Sequence, residues 1–556
     1  MSWTRGALLL IPGALLLAAC GTAGGAPPTP SATNEAQSKA SPSQQEVQCE
    51  AGKEAWRAQG APKRGGTLVR ASLPFDNFDI TKPGTTTLYL GAAQVNQTLV
   101  ELRGCHYEDI AMMPSLAKSW QMSPDGRSWT LNLRNDVKWH NKPPVNGRPF
   151  TSADVAWTIE LQKREGVLRT TWQDVEHLEP DAHTVILRLK EPDADFMLRM
   201  GSQLNVMLAR EVKEQFGDFK SVAIGTGAYM VKDFKQAQEL WLEPNPGYYE
   251  QGADGKPLPY LEGVRTLPFS DIAAQVAALR SGQLDIASYN GVEKGDAEAL
   301  RAANTKLRIH EQIVFSTISL WFDVTKKPLD DPRVRKAMAM AINPDDLIAR
   351  YQGGGVRSGF VPAFLKDYAW SQDKLREKFK PQVEQAKKLL ADAGFRADQR
   401  LPIKTGSFFQ QDTEVIQKHL EAIGVTTTID VEGTAFGTLF SKGEFLMGFG
   451  PITGVTYPSY WVGDLVRSGA APRFLRTGDA QIDSLAVAAA REVDPGKRKQ
   501  TIFQLQDRLY EVMPYVPVAS RLYYHVLSCR TKNARLINPA YNPRTVVEAW
   551  LDPSGC

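Results

Sequence analysis

Pro114-Ser115-Leu116-Ala117-Lys118-Ser119-Trp120, then Ser123-Pro124-Asp125-Gly126-Arg127-Ser128-Trp129-Thr130, Leu133-Arg134 and Val137-Lys138-Trp139-His140, form the stretch from which the fold is read. It runs on through Asn146-Gly147-Arg148-Pro149-Phe150-Thr151 into Ala153-Asp154-Val155. Locally it reads as a helix end, a hairpin turn at Asp125-Gly126, an edge strand, and a helix start capped by Thr151 or Ser152. Asp-Gly suits a tight turn because glycine accepts a positive φ without steric cost.

Outward from there, helical and strand patterns alternate along the chain, an α/β signature. In 270–282, Ile272, Val276 and Leu279 share one helical face, with Ser270 or Asp271 as cap and Gly282 as stop. Asp331-Pro332 and Asn343-Pro344 each set a cap residue before a proline at the first helical position. Two short helices are expected there, one on Val334, Ala337, Met338 and Ala341, the other on Leu347 and Ile348. A helix over 382–394 turns Val383, Ala386, Leu389 and Leu390 inward and stops at Gly394, and Asp494-Pro495 opens a longer one on Ile502, Leu505 and Leu509. Strands are expected over 66–72, 129–133, 184–189, 318–324, 425–431 and 516–526. The run Thr184-Val185-Ile186-Leu187 is apolar enough to be covered on both faces.

The amino terminus carries Arg5, the apolar run 7–17 and the small residues Ala18-Ala19 ahead of Cys20. This is a secretory signal: the run falls short of the ~20 apolar residues that cross a bilayer, and Pro12 and Gly13 interrupt it. Leu17-Ala18-Ala19-Cys20 resembles the lipobox of bacterial lipoproteins, which implies cleavage after residue 19 and a diacylglycerol on the Cys20 sulfur. Several acyl chains on one residue anchor firmly, at ~0.8 kcal/mol per buried methylene. Residues 20–48 are Gly, Ala, Pro, Ser, Thr, Asn and Gln with few large apolar side chains, and read as a flexible tether.

The remaining chain has ordinary globular composition and length for more than one core. Its formal net charge of +3 is spread along the sequence, without the basic footprint a nucleic-acid partner needs. Cys49, Cys105, Cys529 and Cys556 form no C-x-x-C, and the 7 histidines have no zinc spacing, so no metal or other cofactor is expected. In an exported protein an even cysteine count favours disulfides. Cys529 with Cys556, leaving Cys49 with Cys105, is preferred among three possible pairings.

Catalytic spacing is missing as well: no G-x-S-x-G, H-E-x-x-H or G-x-x-x-x-G-K-[ST] occurs. Gly353-Gly354-Gly355 reads as a helix stop and turn rather than a phosphate loop. Arg357 beyond it is expected to be solvated, with an anionic ligand as the alternative. Asp181-Ala182-His183 reads as a turn and His140 as structural. No catalytic residue is assigned, although dispersed carboxylates of the kind used in glycoside hydrolysis are set in space and not in sequence.

Taken with Gly225-Thr226-Gly227-Ala228-Tyr229, Asn245-Pro246-Gly247-Tyr248-Tyr249, Pro257-Leu258-Pro259-Tyr260-Leu261-Glu262, Ser281-Gly282-Gln283-Leu284-Asp285-Ile286-Ala287 and Asp331-Pro332-Arg333-Val334-Arg335-Lys336-Ala337, the opening stretch resembles the family 5 solute-binding proteins of bacterial ABC importers. That group includes oligopeptide, dipeptide and nickel receptors. The resemblance runs in the family's order from about residue 65 to 550. It implies an α/β, bilobal periplasmic-binding-protein type II fold with an extra domain on the first lobe and two hinge strands. The boundaries it implies are 1–19 signal peptide, 20–48 tether, 49–90, 196–312 and 514–556 first lobe, 91–195 extra domain, and 313–513 second lobe.

The implied function is a lipid-anchored receptor on the outer face of the cytoplasmic membrane. It closes over a small solute, hands it to ABC permease subunits, acts as a monomer and catalyses nothing. An extracellular hydrolase and a ligand-binding surface sensor are the alternatives. In the family's peptide receptors an aspartate shortly before the proline of a late cleft loop pairs with the ligand's amino group. Here that loop reads Gly450-Pro451-Ile452-Thr453-Gly454-Val455-Thr456-Tyr457-Pro458-Ser459-Tyr460-Trp461, with Gly454 where the carboxylate would stand. A free peptide is therefore not the expected ligand; Thr453, Tyr457, Tyr460 and Trp461 suit a neutral or polyhydroxylated one. Further cleft residues are expected on loops that end strands: Phe75 and Asn77, Tyr289 and Asn290, Phe408 and Gln410, Phe436, with Trp370 after the paired helices.

Overall fold

The computed structural model describes residues 60–554 apart from 73, 75–76, 83–93, 104–110, 167–168, 174, 270, 288–291, 304–305, 315, 352, 434–442, 454–456, 470–472 and 535–544. The signal, Cys20, the tether, Cys49, Cys105, Cys556, Phe75, Tyr289, Asn290 and Phe436 lie outside the described residues.

Strand β1 (Thr67–Ser72) opens a sheet that the chain completes only after a long excursion. The excursion begins with a ribbon of β2 (Val100–Arg103) and β3 (Ala111–Pro114). Next come β4 (Ala117–Met122), β5 (Ser128–Leu133), helix α1 (Ser152–Glu165), β6 (Val175–Asp181) and β7 (Thr184–Leu189), whose four strands lie in the order β4-β5-β7-β6. Pro114 and residues 117–120 are thus strand where a helix end was expected. Trp120 and Met122 are partly covered while Ser119 and Gln121 are exposed, the two-residue period of a sheet face. The expected turn forms: Gly126 N donates to Ser123 O at 2.9 Å, with Gly126 at φ 71°. The strand after it, β5, is interior, and β4 is the edge. Thr151 caps α1 and its N–H donates to Asp154 Oδ2 at 2.9 Å. In β7 only Val185 and Leu187 are buried, so this strand is covered on one face and not on both.

The first sheet resumes with β8 (Tyr229–Lys235), β9 (Glu239–Pro244) and β10 (Gly263–Pro268), in the order β1-β10-β9-β8 with β1 and β10 parallel. Helix α2 (Ile272–Arg280) follows, capped by Asp271, which accepts from Ala273 N. Next is α3 (Lys294–Ala303). Then β11 (Leu307–Ile313) leads, through residues 314–315, into β12 (Ser316–Phe322), all seven residues of which are buried.

Beyond β12 the chain carries α4 (Pro332–Ala341), α5 (Pro344–Arg350), β13 (Gly355–Arg357), α6 (Val383–Asp392), β14 (Arg400–Thr405), α7 (Gln410–Glu421), β15 (Thr426–Val431), β16 (Met447–Thr453), α8 (Ala480–Arg491) and α9 (Pro495–Val512). Asp331, Asn343 and Asp494 cap α4, α5 and α9, each with proline in the first turn. Ile318, Trp321, Met338, Ile403, Phe449 and Leu505 belong to one continuous apolar core.

Strand β17 (Tyr515–Ser528) joins the two halves. Its first part pairs with β12, as Trp321↔Tyr515 and Ile318↔Ala519, and its second with β11, as Ile313↔Leu522 and Leu307↔Ser528. Two neighbouring strand lines, β11–β12 and β17, therefore cross from one lobe to the other, and the fold is a bilobal type II binding-protein fold. Residues 515–519 pair with β12, and residues 522–528 pair with β11. An unbroken strand carries no local sign of where its partner changes. A short pair, β18 (Thr531–Lys532) with β19 (Trp550–Leu551), ends the fold.

His140 is structural, as expected: its Nε2 donates to Gly227 O at 2.9 Å and its Nδ1 accepts from Gly225 N at 3.2 Å. Arg357 is not solvated. It is 6 % exposed and makes two hydrogen bonds to Asp345, at 2.8 and 2.7 Å, because β13 is held against β17 and the guanidinium must find a partner there. Among the described residues no helix is long and apolar enough to cross a membrane.

Candidate functional site

Where β17 passes from one sheet to the other, Arg521 turns inward with a side chain 5 % exposed. Burying a guanidinium demands compensation, and three groups supply it. Nη2 donates to Asp412 Oδ2 at 2.7 Å, the cation lies 4.2 Å from the centre of the Tyr351 ring, and Phe408 stands 5.2 Å away. Burial alone would pull the guanidinium down, but Tyr351 and Asp412 outweigh it and hold its pKa above the ordinary value. Asp412, fully buried near the start of α7, also accepts from Tyr351 Oη at 2.7 Å and from Arg350 Nε. Arg350 extends a second nitrogen to Gln411 Oε1 at 2.8 Å.

Beside this network lies a cavity of about 470 Å³, lined by Glu293, Arg350, Ser407, Phe408, Gln410 and Arg521 among others. Glu293, just ahead of α3, reaches Arg521 across the seam at only 3.4 Å. The cavity is thus walled by Glu293 ahead of α3, by side chains at the end of α5 and the start of α7, and by the crossing strand β17. Two of the expected cleft residues, Phe408 and Gln410, are in its wall, and Phe408 is 57 % exposed.

Other expected cleft residues stand elsewhere. Trp370 is 2 % exposed, edge-on to Phe360 and Tyr510, and Trp461 is fully buried against Phe364. Both belong to the apolar core that includes β12 and α9, because a large ring gains more from burial than from a wet wall. Tyr460 opens a single π-helical turn, Tyr460–Asp464, and packs edge-on to Trp461. Tyr457 lies under the Arg199 guanidinium, 4.9 Å from the ring centre. Asn77 accepts from Asp79 N at 2.9 Å in a turn. Thr453 ends β16 opposite Ser316. Trp370, Trp461, Tyr460, Tyr457 and Asn77 do not line the Arg521 cavity.

Tyr457 and Arg199 belong to a second seam. A cavity of about 360 Å³ between residues 171–199 and 459–491 is lined by Asp193, Phe196, Arg199, Ser459, Asp464 and Arg467 among others. Here Ala194 N donates to Ala490 O at 2.8 Å and Asp195 pairs with Arg498 in full burial. Burial raises the carboxyl pKa of both Asp193 and Asp464.

Sequence reasoning missed Arg521, Arg350, Asp412 and Glu293. One signal was available: Arg521 is a lone charge inside the apolar run 515–527, and a charge on a covered strand needs a partner.

The fold is that of the type II periplasmic binding proteins. The chain belongs to the bacterial extracellular solute-binding proteins, family 5, whose middle-region model matches residues 111–471. It is 26 % identical over 457 residues to di/tripeptide-binding protein 1 of Pseudomonas aeruginosa (strain UCBPP-PA14), covering 74 % of this chain and 81 % of that one. It is 24 % identical over 453 residues to glutathione-binding protein GsiB of Salmonella typhimurium, covering 77 % and 83 %. Its fold matches the periplasmic binding protein DppA of Helicobacter pylori in complex with the peptide STSA at a TM-score of 0.75 and 22 % identity, covering 88 % of this chain and 98 % of that one.

Proposed function

We propose that this chain is a receptor tethered through a lipid on Cys20, which closes its lobes over a small solute and delivers it unchanged to an ABC permease. The observation that carries the reading is the Arg521 cavity, walled by both lobes and by the strand about which they would swing. A solute held there touches each lobe, so it favours the closed arrangement by its differential affinity for the two states. Moving a mostly open population to a mostly closed one takes about 5.5 kcal/mol of such preference. The lobes divide near residues 314–315 and 520–521 of the two crossing lines, and the receptor acts as a monomer. The relatives are named for di- and tripeptides and for glutathione. Gly454, in place of the amino-binding aspartate, argues for a ligand that is not held by a free amino terminus.

The test is a deletion strain complemented with wild type or Cys20→Ala. Solute uptake should be lost on deletion, and Cys20→Ala protein should be found free of the membrane. Intact uptake alongside a lost transcriptional response would point to a sensor, and steady product release from purified protein to a hydrolase.

A further inference from the structure

We infer that Ser520 is a positioning residue at the pivot: its hydroxyl, passing between Ser316 O and Ser358 Oγ, sets how readily the two crossing lines turn against each other and how long the receptor stays closed. The inference rests on the receptor reading and gives its motion a chemical cause.

The ladder between the two lines is irregular where they divide. Ile318 of β12 pairs with Ala519 and Ile313 of β11 with Leu522, so residues 314–317 of one line stand against 520–521 of the other. A further register shift falls between Ile318 and Ser319. Extra residues on one side of a ladder disrupt it locally and bend it.

Side-chain hydroxyls gather at this place. Ser520 Oγ donates to Ser316 O at 2.9 Å and lies 3.4 Å from Ser358 Oγ, which in turn lies 2.9 Å from Thr317 Oγ1. Ser358 is brought there by β13, whose Val356 pairs with Ser520, and by its own N–H, which donates to Val518 O at 3.2 Å. Ser316, Thr317, Ser358 and Ser520 are between 0 and 7 % exposed. Water therefore does not take over a bond that is lost at this point.

A backbone N–H is fixed in direction by its peptide plane, so a ladder bond is broken once the strands turn far enough. A hydroxyl instead turns about its Cβ–Oγ bond and offers its one proton to either of two acceptors. Ser520 has both within reach, and exchange between them lets a buried pivot turn without stranding a polar group, which is costly. Asp195 and Arg498 are paired in burial in this arrangement, so it is the closed one, and the Ser520 to Ser316 bond belongs to the closed receptor. Ser520 is not among the residues that line the Arg521 cavity, so it acts on closure without touching solute.

The experiment is single-molecule energy transfer in the purified chain, between dyes carried on non-natural side chains at the exposed positions Phe216 and Val431, on opposite sides of the proposed division. The probes are dipeptides, tripeptides, glutathione, sugars and organic acids. Wild type should switch between two transfer efficiencies. Ser520→Ala removes the donor to Ser316 O and should shorten the closed dwell by about 10-fold. Ser358→Ala leaves that bond in place and removes the second acceptor, and should lengthen the closed dwell by about 3-fold. A purely structural role would lower the melting midpoints of both variants and leave their dwells unmoved. Should Ser520→Ala fail to fold, Ser520→Cys, with its weak donor, should shorten the closed dwell by about 3-fold. Unchanged dwells, or both variants moving them the same way, would overturn the pivot inference and leave the receptor reading standing. A wild type held at one efficiency with every probe would overturn the receptor reading and this inference with it.

Discussion

Asp195, beyond β7, and Arg498, on α9, form an ion pair, their side chains 0 % and 6 % exposed. Arg498 also donates to Ala489 O and Ser459 Oγ, both at 3.0 Å, and Ser459 N donates to Asp195 Oδ2 at 3.3 Å. The pair lies apart from the Arg521 cavity and would be separated and hydrated when the lobes open.

Removing one partner strands the other charge in the closed state, which costs about 3–5 kcal/mol. Arg498→Met should therefore shift the protein toward the open form, with a larger radius of gyration under saturating solute and weaker binding. The double variant Asp195→Leu/Arg498→Met should recover most of the loss, since no charge is left unmatched. Unchanged scattering in the single variant would exclude this pair from closure.

Acid should weaken the fold through two histidines. His140 and His525 are pushed down to about 4, His140 by burial with a smaller contribution from Lys142, His525 by burial and then by His310. Their folded pKa lies below the unfolded value of about 6.5, so the unfolded state binds more protons between these limits. Stability is full above 6.5 and is lost as pH falls toward 4, by about 2 kcal/mol per histidine at pH 5. Asp193 and Asp464, held above the usual carboxylate range by burial, act with the opposite sign just above pH 3.8. Urea midpoints at pH 7 and pH 5 check this, and His140→Gln should flatten the difference. Equal midpoints in the wild type would contradict it.

Gly225 and Gly227 show why the Gly-Thr-Gly motif admits no side chain. A Cβ at Gly225 would stand 2.0 Å from Val95 O, and at Gly227 2.7 Å from the same oxygen. Backbone cannot yield as a flexible side chain does, so Gly225→Ala should cost about 3 kcal/mol or more. Thermal unfolding measures it, and an unchanged midpoint would refute the close approach.

Cys529 is disulfide-bonded, with its partner among the cysteines outside the described residues. Asp552 N donates to Arg530 O at 2.7 Å beside the β18–β19 pair, which sets residues 550–552 against residues 530–532. Non-reducing peptide mapping should link Cys529 to Cys556, three residues beyond Pro553. A link to Cys49 or Cys105 would show the other pairing.

Short-range physics made much of this protein legible. Cap-and-proline signals at Asp331, Asn343 and Asp494 marked three helices, and the Asp125-Gly126 turn marked a hairpin. Each is decided within a few residues by a side-chain oxygen, a fixed φ or a missing Cβ. The pocket was less legible. Phe408 and Gln410 were placed from the loop after a strand, but Trp370 and Trp461 went to the core, because only the surrounding volume decides which way a ring turns.

The sequence by itself determined the α/β class and the family likeness, both of which rest on local pattern and ordered motifs. Only the tertiary structure decided where β17 changes partners, that Arg357 is buried on Asp345, and that Glu293, Arg350, Asp412 and Arg521 meet. Those four side chains lie up to 228 residues apart in the chain. A charge pairing over such a span is set by which strands lie side by side, and no local signal records it.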